Sequence, residues 1–164
     1  MTPKQLIFQE TAAQLQALGF TVATQDQTRP WGGFFVIDET QAQSFADAYF
    51  DGLPVDTLRI SGKLSPKVLL VAPQQRLSWQ YHHRRAEIWR VVQGPVGVVI
   101  SDNDEQSAVR SYQVGERIVL KKGERHRLVG LNDWGVVAEI WQHTDVSQPS
   151  DEADIVRVQD DFGR

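Results

Sequence analysis

The chain has 164 residues, a formal net charge of −4 and no cysteine. That length suits one domain able to bury a core without covalent staples, and the missing thiols exclude disulfides and thiolate metal sites, so a bound metal must rely on nitrogen and oxygen donors. An acidic balance without a block of like charges argues against a nucleic-acid partner, no apolar run nears the roughly 20 residues of a bilayer span, and a polar start with Gln5, Gln9 and Glu10 does not read as a signal peptide, so a cytoplasmic protein without a membrane partner is expected.

Thr2-Pro3-x-Gln5 has the form of a capping box with proline in the first turn, and Ile7, Thr11, Leu15 and Leu18 follow at helical spacing. This predicts a helix that ends near Leu18. Residues 20–35, punctuated by Pro30 and Gly32-Gly33, are expected to be extended or irregular. Ala42, Phe45, Ala46 and Tyr49 share one helical face, which predicts a second helix over 41–50, stopped by Gly52-Leu-Pro54.

From Leu58 onward the apolar period changes to two. Short runs rich in Val, Ile, Leu and Trp predict strands over 67–72, 77–82, 87–93, 96–101, 108–113, 117–121, 126–130 and 136–142, with Ile155-Val-Arg-Val158 as a final one. Turn residues at Gly94-Pro95, Asp102-Asn-Asp104, Lys122-Gly123 and Asn132-Asp133 separate several of them. The pattern predicts an all-β sandwich or closed barrel over 58–164, with an N-terminal helical extension over 1–57 packed on it in one unit.

Candidate chemistry concentrates in residues 76–94. Gln80, His82 and Glu87 each offer a lone pair; on an extended strand Gln80 and His82 leave the same face and His83 the other. A fourth donor, His126, follows the glycine turn at Gly123. Singly these residues are ordinary, since a strand glutamine is usually a hydrogen-bonded or exposed amide and a lone histidine is usually structural. Together they supply donors from two strands and a turn and leave positions for water or substrate oxygens, as a catalytic metal requires. Arg76, Arg84, Arg85, Lys121, Lys122, Arg125 and Arg127 gather around them, a cluster that suits a small anion as well as a solvated strand rim. Trp79, Trp89, Trp134 and Trp141 are candidates to line a sugar pocket, with core filling expected for at least two.

The spacing Gln80-x-His82-x4-Glu87-x6-Gly94 followed by Gly115-x7-Gly123-x2-His126 resembles the two cupin motifs, with glutamine where many cupins place their first histidine. Within the cupins the chain resembles the type II mannose-6-phosphate isomerases, which occur alone or as the C-terminal half of a bifunctional guanylyltransferase. The matching segments are Arg29-Pro-Trp-Gly32, Leu77-Ser-Trp-Gln80, His82-His83, Arg85-Ala-Glu87, Gly123-Glu-Arg-His126-Arg-Leu128 and the tail from Asp154-Ile-Val-Arg157 to Phe162-Gly-Arg164. Arg84, Ile88, Lys121 and Phe162 depart from the family's residues without removing a donor, and 34–73 is longer than the family's segment, which bears on substrate more than on fold.

The resemblance implies a cupin jelly-roll barrel and a metal-dependent aldose–ketose isomerase that interconverts mannose 6-phosphate and fructose 6-phosphate. It implies a role in activity for Arg85 and places Arg164 as a guanidinium that folds over the barrel mouth. The base stays open between Glu139 and His143, which share a strand face. Zinc is the expected metal, and manganese, iron, cobalt and nickel suit the same donors. The expected partner is a small-molecule sugar phosphate, with a homodimer left open. A non-catalytic metal-containing sugar-binding cupin, an isomerase of a phosphorylated heptose and an iron-dependent dioxygenase remain alternatives, because one fold hosts many functions.

Overall fold

In the computed structural model, which describes residues 1–59 and 62–163, helix α1 (Pro3–Ala17) begins at the cap that the sequence predicts: the Thr2 side chain accepts from the Gln5 amide, and the Gln5 side chain accepts from the Thr2 amide. The helix buries Ile7, Phe8, Thr11 and Leu15 along one side. The residues that follow are more regular than expected. Strands β1 (Val22–Arg29) and β2 (Gly32–Ile37) form an antiparallel hairpin, and Pro30-Trp31 is its turn. β1 lies at the edge of its sheet with most residues exposed, so it lacks the apolar alternation that would announce a strand. Gly32 is obligatory here: its φ is 145°, and a Cβ would stand 1.9 Å from the Leu70 carbonyl oxygen.

A 3-10 turn at Glu39–Gln41 leads into α2 (Ala42–Tyr49). A third helix, α3 (Asp56–Arg59), was not expected; one turn of four residues has no periodicity to read. The remaining strands are β3 (Lys67–Val71), β4 (Trp79–Tyr81), β5 (Arg85–Gln93), β6 (Val96–Ser101), β7 (Arg110–Tyr112), β8 (Arg117–Leu120), β9 (Arg125–Val129), β10 (Gly135–His143) and β11 (Val156–Gln159). They build a six-stranded sheet in the order β1-β2-β3-β10-β5-β8 and a five-stranded sheet in the order β11-β4-β9-β6-β7, with every pairing antiparallel. This is the all-β class that the strand pattern predicts.

Strand β10 explains how the layers are held. Its odd residues Val137, Glu139 and Trp141 turn towards the facing sheet, while Val136, Ala138 and Ile140 turn outwards beneath the helices. Because both faces are covered, the strand reads as an almost unbroken apolar run. The outer compartment joins Ile7, Phe8, Phe45 and Phe50 to Val68, Leu70, Ile88 and Ile140. The inner one joins Trp31, Leu69, Trp89, Val98, Leu120 and Leu128 between the sheets. Residues 1–57 are thus not simply a helical layer laid on a barrel: they donate β1 and β2 to the sheet, and their helices share a core with its outer face. Among the described residues no helix is long and apolar enough to cross a membrane.

Phe8 tests this continuity. It is 1% exposed, with its ring 5.5 Å from that of Phe35 and 6.3 Å, edge-on, from that of Trp134. Phe8→Ala is expected to cost about 3–5 kcal/mol of global stability, read as one cooperative denaturant transition. A separate early transition would show instead that the N-terminal segment unfolds alone.

Candidate metal centre

Three buried side chains converge between the sheets. Glu87 projects inward from β5, His126 from β9, and His82 from the turn that follows β4, while His83 points to solvent. Glu87 Oε1 lies 3.1 Å from His126 Nε2 and 3.4 Å from His82 Nε2. Ligands on a sphere of about 2.1 Å radius sit about 3.0–3.4 Å from one another, so these separations suit a small divalent cation.

The tautomers agree with that fit. The His82 Nδ1–H faces the Asp154 carbonyl at 2.6 Å, and the His126 Nδ1–H faces the Glu124 carbonyl at 3.2 Å. Each neutral ring is left with a lone pair on Nε2. Glu87 Oε1 and His126 Nε2 are buried and have no hydrogen-bond partner. Lone pairs facing one another at such range repel, and a cation among them removes the repulsion. Burial by itself raises the Glu87 carboxyl, but attraction to the His82 ring, in its protonated state with no cation present, and to the Arg85 guanidinium outweighs it and holds that carboxyl well below the ordinary range.

The supports come from distant segments. Gly123, with φ 76°, forms the turn before His126 and donates its N–H to the His82 carbonyl, which ties the two donor segments together. Asp154 accepts from the His83 and Arg84 amides at 2.9 and 3.0 Å and from Ser150 Oγ at 2.6 Å. Burial raises its carboxyl, but these hydrogen bonds prevail and lower it. Gln80 lies opposite His126 in the ladder and lines the adjoining cavity; its Oε1 accepts from Ser78 Oγ at 2.5 Å and keeps a second lone pair.

The cavity has a volume of about 430 Å³ and is bounded by Trp31, Phe34, Gln80, Glu87, Trp89 and Glu139, with Arg29, Lys67, Arg85, Glu152 and Arg157 supplying charge. Glu139 stands opposite both Trp89 and Lys67 in the sheet. Its Oε1 accepts from Trp89 Nε1 at 2.9 Å, and its Oε2 lies 3.7 Å from Lys67 Nζ. Burial and the neighbouring Glu87 charge raise this carboxyl to about 7, against the lowering effect of Lys67, Arg85 and the Trp89 hydrogen bond.

Other expectations fare differently. His143 faces inward on the same strand as Glu139, but both ring nitrogens are engaged: Nδ1 accepts from the Ser150 amide, and Nε2–H donates to the Lys63 carbonyl. It is a clamp with no nitrogen left to shuttle a proton. Arg85 lines the cavity and is fixed on four sides, by Glu87 Oε2 at 3.2 Å, Ser150 Oγ at 3.0 Å, the Asp151 carbonyl at 2.9 Å and the Trp141 ring at 3.8 Å. Arg164 lies outside the described residues. Phe162 packs against the inner core, and Asp161 holds Arg76 with two hydrogen bonds.

Most of the expected cationic cluster is spent on structure. Arg84 reaches Asp151 and the Pro149 carbonyl, Arg125 pairs with Asp104 over the Tyr81 ring, and buried Arg127 binds the Leu77 carbonyl. The cations in the cavity beside Arg85 are Arg29, Lys67 and Arg157, which sequence reasoning did not single out. Arg29 and Arg157 carried a signal, as the first residue of Arg29-Pro-Trp-Gly32 and the last of Asp154-Ile-Val-Arg157; Lys67 is revealed only by its long-range pairing with Glu139. Of the four tryptophans proposed for a pocket only Trp89 lines it, joined by Trp31, while Trp134 packs on Phe8 outside the barrel.

Two facing antiparallel sheets with a buried His-Glu-His group between them define a cupin jelly roll able to hold a metal. The chain belongs to the mannose-6-phosphate isomerase C-terminal family, whose sequence model matches residues 41–160. It is 35% identical over 63 residues to the alginate biosynthesis protein AlgA of Pseudomonas aeruginosa, a match spanning 38% of this chain and 13% of AlgA. Among solved structures it is similar to the capsular polysaccharide assembling protein CapF of Staphylococcus aureus, at TM-score 0.55 and 16% identity over 83% of this chain and 34% of that one. It is also similar to tomato vicilin, at TM-score 0.54 and 17% identity over 80% and 32%. At these identities the two structures show the fold alone.

Asp154→Ala removes the anchor of the His82 turn and is expected to weaken divalent metal affinity about 10- to 100-fold, measured by competition with a chromogenic chelator. The double change His82→Ala, His126→Ala is expected to abolish stoichiometric binding. Retained metal in that variant would place the centre elsewhere.

Proposed function

We propose that this protein is a metal-dependent aldose–ketose isomerase of phosphorylated sugars, with mannose 6-phosphate and fructose 6-phosphate as its pair. The observation that carries the reading is the order of groups across three neighbouring strands. Glu87 and Trp89 lie on β5, Glu139 lies opposite Trp89 on β10, and Lys67 lies opposite Glu139 on β3, all lining one cavity. Metal donor, proton carrier and cation therefore follow one another along a single wall.

His82, Glu87 and His126, with Gln80 at the cavity edge, are the residues that would hold the ion. A divalent cation there would supply Lewis acidity towards the first two oxygens of the sugar, easing the charge that develops when the neighbouring C–H bond breaks. Glu139 takes the proton from C2 of the aldose as a carboxylate and returns it to C1 as an acid, while the hydroxyl proton on O2 passes to O1 so that the carbonyl moves from C1 to C2. Burial raises this carboxyl, to about 7 in the metal-free cavity, and so brings its two forms closer in population near neutrality, which suits a group that must accept and then give. Trp89 fixes the orientation of Oε1, and Lys67 keeps the ionised form accessible inside the barrel. Arg85 presents an immobile guanidinium beside Glu87, so it stabilises developing anionic charge without reorganising. The positive groups that line the cavity favour an anionic sugar over a neutral hexose.

A coupled assay across a panel of sugar phosphates, on protein of known metal content, tests the reading. Mannose 6-phosphate is expected to turn over and mannose is not; Glu139→Gln, which keeps the size and the Trp89 contact, should lower kcat at least about 100-fold with metal content unchanged. Binding of sugar phosphate with no turnover under any divalent metal would make the protein a binding cupin instead.

The raised carboxyl also makes a stability prediction for chelator-treated protein. Folded Glu139 holds its proton more tightly than the unfolded chain does, so its contribution is complete below the ordinary value of 4.5 and is lost as pH rises through about 7. Glu139→Gln does not titrate. Its stability relative to the parent should therefore improve by on the order of 3 kcal/mol between about pH 4 and pH 8, read from denaturant curves; a pH-independent difference would show that Glu139 is not raised.

A further inference from the structure

Glu152 lines the cavity yet has no part in the chemistry above. It lies on the segment between β10 and β11, its side chain 61% exposed, with Oε1 3.4 Å from Ser65 Oγ, 3.8 Å from Lys63 Nζ and 3.7 Å from Lys67 Nζ. Three donors thus converge on one oxygen, all beyond the roughly 2.7–2.9 Å of a close charge-assisted pair. The backbone that carries Lys63 and Ser65 and the side chain of Lys67 are held more firmly than the carboxylate, although the Lys63 side chain itself is half-exposed. Leu64 and Ser65 donate their amides to the Glu39 carboxylate at 2.8 and 2.9 Å, the Lys63 carbonyl takes the His143 Nε2–H, and the Leu64 carbonyl accepts from the Trp141 amide at 2.9 Å. Lys67 opens β3 with its side chain 12% exposed.

We propose that Ser65 Oγ, Lys63 Nζ and Lys67 Nζ form a phosphate cradle, and that Glu152 is an intramolecular stand-in which the phosphate of the substrate displaces. The proposal rests on the phosphorylated-sugar reading of the site and says where the phosphate goes. A phosphate ester carries close to two charges and three acceptor oxygens, one for each donor. The exposed carboxylate carries one charge and is screened by solvent. Position agrees as well: Lys67 on β3 is two strand spacings from Glu87 on β5, about 10 Å across the sheet, a span suited to a hexose whose first two oxygens sit at the metal donors and whose phosphate sits at the far end. Glu152 then acts on specificity. A neutral sugar has no group with which to replace it on the lysines, whereas a phosphorylated one recovers the contacts it displaces.

The test is a calorimetric titration of the purified protein with inorganic phosphate. Glu152→Gln, which removes the charge and keeps the shape, is expected to bind phosphate about three- to fivefold more tightly, the scale of an exposed ion pair. Lys67→Gln and the half-exposed Lys63→Gln should each weaken binding, and combining Lys67→Gln with Glu152→Gln should erase the gain. In the coupled assay Glu152→Gln should lower the KM for sugar phosphate and the inhibition constant of phosphate together. If Glu152 merely anchors its loop, a Glu152→Gln protein with native circular dichroism and melting behaviour binds phosphate as the parent does, and the cradle is overturned. A gain in phosphate affinity in a protein that turns over no sugar phosphate would sustain the cradle and overturn the isomerase. Turnover of mannose 6-phosphate with phosphate affinity indifferent to all three substitutions would do the reverse.

Discussion

A carboxylate sealed between two sheets is the constraint from which the rest of this site follows. Glu87 is 2% exposed and is nevertheless held in its ionised form, a state that burial opposes strongly unless positive charge is placed against it. Arg85 supplies one such charge two residues away on the same face, itself fixed by Ser150, the Asp151 carbonyl and the Trp141 ring. The other oxygen faces two histidine nitrogens whose opposite ring positions are tied to carbonyls. A core built for stability alone would replace these groups with apolar ones. Retaining them, with the lone pairs of three donors aimed at one point, is what a cation site requires.

The same buried charge acts on its surroundings. Glu139 stands on the next strand, two ladder positions along and on the same face, and the charge on Glu87 makes a second ionised carboxyl costly within the same low-dielectric space. Two carboxyls in one cavity are thus driven apart, one held ionised and the other poised near neutrality, and that separation divides ligand from proton carrier. Trp89 sits between them, donating to Glu139 and packing edge-on against the ring of His126. A single indole therefore serves both the donor set and the proton carrier.

Strand period made much of the barrel legible in the sequence. Most runs from 67 to 142 appear at or near the expected positions, because each has one face in the inner core and the pleat fixes which residues turn there. The edge elements were harder to read. β1 is polar on both faces, and the run at 77–82 yields only a three-residue β4, since its start is held by single contacts such as the Leu77 amide to the Leu128 carbonyl. In the site, the donor residues could be listed from spacing, but their supports could not. Asp154 lies 72 residues from His82, and Lys67 meets Glu139 only because β3 and β10 are neighbours. Partners set by long-range register leave no local pattern. The basic cluster misled for a related reason, since proximity in sequence to a site says nothing about which side of a strand each arginine occupies.

The Arg29-Pro-Trp-Gly32 turn shows how such distant partners come to matter. It lies about 50 residues before the first metal donor, yet the strand order β1-β2-β3-β10-β5 carries it to the cavity wall. Proline and tryptophan span the two strands, and Trp31 drops into the inner core at 4% exposure. Gly32 then lets β2 press against β3 so closely that any side chain would strike the Leu70 carbonyl. That close approach seats Phe34 beside the cavity and leaves Arg29 at its rim with the guanidinium over the Phe34 ring. The glycine thus acts through backbone geometry and the arginine through charge. Because the first positions the second, a substitution at Gly32 would disturb the cavity without touching any group that meets a ligand.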